Sequence, residues 1–374
     1  MKTIEFLVVL VSCLTLVLAA PGADLALQPM PKEWPCPEAD DILPCVCTSD
    51  EYLNLRLVCT GVSTAQLDVA MAAVFPFTEF LELRIEDNNP TNSPLTELPE
   101  GIFRDLTFIR VTVTGTGIIE VPENVFSNSH RTLVMLNLQN NLIDDFTFES
   151  IRAYTVLETL ILDDNTISRL WHMESTSLQT LSVSGNHGLS FDATVFQNVT
   201  NLRTVNMARI DHVTIPQNLF LPLGKVTYID LSSNWLDSLN EFAINPPNPT
   251  LRTLRLNQNS ITEILPNSIQ GLTEDATVQM AGNLINKLNE PQWKSVFDQV
   301  PSGQIDLTGN ILNCGCDMDW MFLATPEDKY LNILTDTTTC FDGTKVVFLD
   351  KMWFYYQCQE GEQRQGVDGQ GIVG

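Results

Sequence analysis

"LETLILDDNTISRL", Leu157 to Leu170, carries apolar residues at its first, fourth, sixth, eleventh and fourteenth positions and Asn at its ninth. The same template fits "LVMLNLQNNLIDDF" from Leu133, "VTYIDLSSNWLDSL" from Val226 and "LRTLRLNQNSITEI" from Leu251. Its ninth position falls at Asn88, Thr116, Asn141, Asn165, Asn186, Ile210, Asn234, Asn259, Asn283 and Asn310. The intervals are 28, 25, 24, 21, 24, 24, 25, 24 and 27 residues. A near-constant period sustained this long is the mark of a stacked repeat.

Positions four and six are apolar and flanked by polar residues, so each repeat supplies a short strand with one buried face. A single repeat cannot bury that face, and stacking does it. The ninth-position Asn sits where the chain turns away from the strand. Its amide can satisfy backbone groups that the turn leaves unpaired, and stacking makes these amides a ladder. Thr116 and Ile210 interrupt the ladder, and local irregularity is expected there, above all at Ile210. Phe103, Phe126 and Phe220, in "LPEGIF", "VPENVF" and "IPQNLF", are expected behind the sheet. The long first interval implies an extra loop between Asp87 and Leu98.

This pattern resembles the leucine-rich repeat family over about two-thirds of the chain. The resemblance implies an α/β solenoid, a horseshoe with a parallel β-sheet on its concave face. The expected organisation is a signal peptide (1–22), a linker and cysteine-rich cap (23–79), about ten repeats (80–312), a second cysteine-rich cap (313–359) and a disordered tail (360–374).

The chain has 374 residues and a formal net charge of −26. Such a polyanion repels nucleic acid and anionic membrane, and neither is expected as a partner. "MKTIEFLVVLVSCLTLVLAAPGA" has a basic start, an apolar run too short to span a membrane easily and small residues after it, so it reads as a secretory signal peptide. The chain is therefore expected outside the cell.

Cys13 falls within the signal peptide. The remaining cysteines form two groups flanking the repeats: Cys36, Cys45, Cys47 and Cys59, then Cys314, Cys316, Cys340 and Cys358. An even count in a secreted chain favours disulfides. Zinc is disfavoured because no His lies near Cys314 or Cys316 and C-x-x-C spacing is absent. Redox catalysis is disfavoured on the same spacing. A solenoid needs covers for its open ends. "CPEADDILPCVCTSDEYLNLRLVC" and "NCGCDMDW" resemble the caps of extracellular leucine-rich repeat proteins. That resemblance implies Cys36–Cys47, Cys45–Cys59, Cys314–Cys340 and Cys316–Cys358. One departure is Ile311, where the family pattern has Pro after the last Asn.

No catalytic motif is found. G-x-S-x-G, a P-loop and a G-x-G-x-x-G after a strand are all absent. His187 and His212 follow the ladder position of adjacent repeats near Asp211, a weak metal arrangement more simply read as surface. The chain is read as a non-enzyme with no cofactor and no metal. Asn198-Val199-Thr200 is the N-glycosylation sequon free of Pro.

Strand residues at positions three and five line the concave face, the usual binding surface of the family. Over positions two, three, five, seven and eight the acids are Glu82, Glu86, Asp87, Glu158, Asp163, Asp164, Asp230 and Asp306. The bases are Arg84, Arg110, Arg203, Arg209, Arg252 and Arg255. This face is nearly balanced, whereas the whole chain has 46 acids against 20 bases. Arg and Tyr anchor interfaces, so Arg203, Tyr228, Arg252 and Arg255 are the expected contacts for a protein partner.

"WPCPEADDILPCVCT", "FPFTEFLELRI" and "LNCGCDMDWM" are similar to a group of secreted crustacean proteins. The group is named for the non-catalytic subunit of deep-sea shrimp luciferase. The resemblance implies a subunit that holds or stabilises a small secreted enzyme, as in a luciferin monooxygenase-like complex. The alternative is a stand-alone extracellular recognition protein, in immunity or adhesion, that binds a protein or glycan.

Overall fold

A computed structural model describes residues 35–326 and 328–359. The expected signal peptide, the first part of the linker and the expected tail lie outside the described residues. A 12-stranded sheet runs through the molecule in chain order. Its strands are β1 (Cys45–Ser49), β2 (Leu55–Thr60), β3 (Glu79–Glu86), β4 (Thr107–Thr114), β5 (Met135–Asn137) and β6 (Thr159–Ile161). They continue as β7 (Thr180–Ser182), β8 (Thr204–Asn206), β9 (Tyr228–Asp230), β10 (Leu251–Arg255), β11 (Leu272–Gln279) and β12 (Gln304–Asp306). β1 is antiparallel to β2, and from β2 onward neighbours are parallel.

Positions four and six of each repeat face the core. Leu136, Leu138, Leu160, Leu162, Leu254 and Leu256 are all buried. Behind the sheet, the Phe103 and Phe126 rings stack at 5.2 Å and those of Phe196 and Phe220 at 6.0 Å. The outer wall is mostly turns, with 3₁₀ segments such as Phe148–Ala153 and paired two-residue strands such as Ser238–Leu239 with Glu263–Ile264. Among the described residues two helices reach eight residues or more: α1 (Thr64–Met71) beside the first cap and α2 (Glu290–Gln299) beside the second. Ser63 and Gln66 close a capping box on α1.

The ladder runs through Asn141, Asn165, Asn186, Asn234, Asn259, Asn283 and Asn310, all buried. Asn165 shows the arrangement. Its Nδ2 donates to the Leu138 carbonyl at 2.9 Å and the Leu162 carbonyl at 3.0 Å, while its Oδ1 accepts from the Ile143 N–H at 3.1 Å. Each amide thus ties its own turn to the preceding repeat.

The interruptions have specific remedies. Ile210 has no amide to accept the Gly188 N–H, and its own carbonyl accepts it instead at 3.2 Å. Asp211 adopts a left-handed φ of +61° beside it. At Thr116 the preceding repeat offers Pro90, which has no N–H to serve. The Thr116 hydroxyl donates forward to Asn141 Oδ1 at 2.7 Å. Asn88 is exposed and stands outside the ladder.

Position eight is left-handed in repeat after repeat: Gly115, Asn140, Asp164, Gly185, Arg209, Ser233, Gln258, Gly282 and Gly309 all have positive φ. Gly115 carries a second constraint, because a Cβ there would lie 1.9 Å from the Asp87 carbonyl oxygen. Only Gly meets both conditions.

The caps are bonded through Cys36–Cys47, Cys45–Cys59, Cys314–Cys340 and Cys316–Cys358. β1 and β2 extend the sheet over the first open end, with Cys45 opposite Cys59. At the other end the Trp320 Nε1 donates to the Leu288 carbonyl at 2.7 Å and its ring meets Phe297 edge-on at 5.5 Å.

Burial lowers the pKa of His212, whose ring lies 4.3 Å from Phe191, and also that of His130. The unfolded chain then binds protons that the folded one refuses. Stability is full above the ordinary value of 6.5 and is lost as pH falls through it. Thermal melts should show a decline from about pH 8 to about pH 5, and His212→Gln should flatten it. An unchanged slope in that variant would remove His212 as a cause.

Candidate functional site

The concave face carries an organised cluster on β9 and β10. Asp230 is buried at 6% exposure. Its Oδ2 accepts from the Tyr228 hydroxyl at 2.9 Å, and its Oδ1 accepts from the Ser232 N–H at 2.9 Å and hydroxyl at 2.6 Å. Arg255 approaches Asp230 at 3.6 Å and places its guanidinium 5.5 Å from the Tyr228 ring centroid. Burial pushes the Tyr228 phenol up to about 12, and its bond to Asp230 adds to the rise. The phenol therefore stays protonated at physiological pH. Tyr228 and Arg255 are thus both braced by the carboxylate beneath them, which would lower the ordering cost of a contact made there.

The sheet divides the four expected contacts. Tyr228 and Arg255 share one cluster on the concave face. Arg203 and Arg252 occupy position two, at the start of their strands, and neither joins that cluster. Arg252 lies 3.6 Å from Asp275, both well exposed. Arg203 lines a shallow groove of about 410 Å³ with Glu158, Gln179, Asn201 and Lys225.

The near balance of charge is realised as pairs within the face. Arg84 pairs with Glu82 and Glu86, and Arg209 lies 3.0 Å from Asp164. Asp163 accepts from the Ser182 hydroxyl at 2.6 Å and the Ser184 N–H at 2.8 Å through one oxygen. Burial raises its pKa despite those bonds. The folded chain then binds a proton more readily than the unfolded one, so this carboxyl favours folding below its ordinary range and opposes it as pH rises through the folded value. Asn keeps the accepting oxygen without the charge. Asp163→Asn should therefore melt higher than the parent at neutral pH and equally at about pH 3. Equal melting at both pH values would contradict the burial effect.

A second feature escaped sequence reading. The residue after the ladder position faces outward on the edge where the strands end. Trp235, Leu284 and Ile311 are exposed there, at 59%, 44% and 38%. The outer backbone rungs continue into the C-terminal cap, where the Phe341 N–H bonds the Leu312 carbonyl at 2.8 Å and the ring is 79% exposed. Ser260 interrupts an otherwise apolar row that borders the end of the concave sheet. The signal was present at position ten, but Phe341 joins only through the cap.

His187 Nδ1 lies 3.0 Å from Asp211 Oδ2, whereas the His212 ring packs on Phe191. The two histidines therefore do not share a site. Among the described residues no group of three or more His, Cys, Asp or Glu is placed to hold a metal ion. No helix among them is long and apolar enough to cross a membrane.

The stacked strands, the Asn ladder and the bonded end units together define a leucine-rich repeat solenoid with disulfide caps. A family model described as Leucine Rich Repeat matches residues 250–272. The chain is similar to the Oplophorus-luciferin 2-monooxygenase non-catalytic subunit of Oplophorus gracilirostris. The two are 28% identical over 341 residues, covering 90% of this chain and 92% of that protein. This likeness agrees with the resemblance carried by the caps.

Among the solved structures that share the fold are two protein complexes. One is the octameric complex of Latrophilin 3, Unc5D and FLRT2, with a TM-score of 0.63 at 16% identity, covering 83% of this chain and 98% of the matched chain. The other is the LRIM1/APL1C complex, with a TM-score of 0.51 at 19% identity, covering 72% and 47% respectively.

Proposed function

We propose that this chain is a secreted, non-catalytic subunit that binds and stabilises a small extracellular enzyme. The observation that carries the reading is the likeness to a non-catalytic subunit over nearly the full length of both chains. The partner docks on the concave face at Tyr228 and Arg255, and its apolar rim rests on the row from Trp235 to Phe341. A braced aromatic–Arg pair beside exposed apolar side chains is the composition that interface centres favour. The near balance of charge on the concave face favours a partner with a mixed, polar docking surface. The relative's name makes a luciferin monooxygenase-like complex the pattern for this pairing.

Stabilisation by binding has a measurable form, because a ligand of the folded state adds RT ln(1 + [L]/Kd) to its stability. At this chain's concentration of about 100 Kd, the partner enzyme should gain about 2.7 kcal/mol. Its activity should persist longer at a fixed elevated temperature when this chain is added. An unchanged decay over the same concentration range would reject the stabilising role.

A further inference from the structure

We infer that Asn198 carries an N-linked glycan, on a part of the surface outside the partner-binding face. Asn198-Val199-Thr200 meets the sequence requirement, while Asn89 and Asn248 are each followed by Pro. The local structure presents this tripeptide for modification. Val199 is fully buried and pins the segment to the core, whereas Asn198 and Thr200 on either side are exposed. The Asn198 carbonyl accepts from the Ser175 N–H at 3.0 Å, which fixes the backbone without using the side chain.

The reacting atom is accessible. Asn198 Nδ2 lies 3.0 Å from His172 Nε2 on the neighbouring repeat. An amide nitrogen has two hydrogens, so one can donate to the imidazole while the other position takes the sugar. In the transfer, Nδ2 bonds to C1 of the first sugar of a lipid-linked oligosaccharide diphosphate. The C1–oxygen bond to phosphate breaks, the lipid diphosphate leaves, and the amide gives up one proton. The remaining N–H can keep its bond to His172.

Placement leaves the binding face clear. Asn198 precedes β8, in the stretch that approaches the sheet from the outer wall and pairs with Glu174. Tyr228 and Arg255 lie within the sheet, and the row beginning at Trp235 follows the strands. The glycan thus covers a wall that the proposed partner does not use. The modification rests on passage through the secretory pathway alone, while its placement clear of the binding face rests on the proposed docking.

The test uses the native protein from the tissue that makes it, treated with peptide-N-glycosidase and mapped by mass spectrometry. Conversion of residue 198 to Asp, with a loss of mass, is the expected result. An unmodified Asn198 overturns the inference. The N-terminus of the same sample shows whether the leader was removed, which separates failure of modification from failure of the secretory reading. In insect-cell expression, Asn198→Gln and Thr200→Ala should each abolish the mass shift, and Thr200→Ser should retain it. A shift that survives both Asn198→Gln and Thr200→Ala would also overturn the assignment.

Discussion

Replacing Asn234 with Leu should destabilise the protein by about 4 kcal/mol, a large loss for one side chain. The Asn234 amide donates to the Met207 carbonyl at 2.9 Å and the Leu231 carbonyl at 3.0 Å. Its oxygen accepts from the Ile210 N–H at 3.0 Å and the His212 N–H at 3.2 Å. The site is 3% exposed, so water cannot replace the amide in place. Each buried orphan costs about 1–3 kcal/mol, and partial relaxation keeps the total below the simple sum. Ile210 shows that an apolar residue can occupy this position, but there the carbonyl of residue 210 takes the waiting N–H beside a left-handed Asp211. Trp235, which follows Asn234, does not have that conformation. Two successive rungs without Asn would also leave the segment from Ile210 to His212 without its anchor. Denaturant unfolding measures the loss, and hydrogen exchange at the Ile210 and His212 amides localises it. A loss below about 1 kcal/mol would show that the ladder is dispensable.

Arg255→Ala should weaken partner binding about 30-fold, a loss of about 2 kcal/mol, and leave the melting temperature nearly unchanged. Arg255 is exposed, and without it the buried Asp230 keeps its hydrogen bonds from the Tyr228 hydroxyl and from the Ser232 N–H and hydroxyl, so folding should lose little. Its value lies in preorganisation: Asp230 and the Tyr228 ring hold the guanidinium ready for a partner's acceptor. Tyr228→Ala should cost a similar amount. The double variant should cost less than the sum, because each residue positions the other. Arg203→Ala and Arg252→Ala should have smaller effects, since neither side chain is braced by the Asp230 cluster. Titration of the labelled partner against each variant measures these differences. Equal losses at all four residues would favour a binding surface that wraps the sheet edge.

The repeat was legible because its determinants are local. Period-two alternation, a turn Asn and a constant interval each repeat within a few tens of residues, so Leu157–Leu170 suffices to read the template. The caps were legible through cysteine spacing and resemblance. The failures are of another kind. Asn88 matches the template but lies exposed, because the loop from Asn89 onward leads the chain away from the ladder. The Tyr228–Asp230–Arg255 cluster needs two repeats stacked in register, Asp230 opposite Arg255. Its members were readable singly, but the buried carboxylate that braces the other two was not. The row from Trp235 to Phe341 was hidden because the cap supplies its last member from outside the repeat.

On the proposed function, this chain works by holding a partner enzyme. Gentle native purification from the tissue that makes it, with mass spectrometry of every co-eluting protein, tests that most directly. One small secreted enzyme at constant ratio is the expected result, and its activity should decay faster once this chain is removed. Recovery of this chain alone, at its own mass, would contradict the subunit account and point to a free recognition protein.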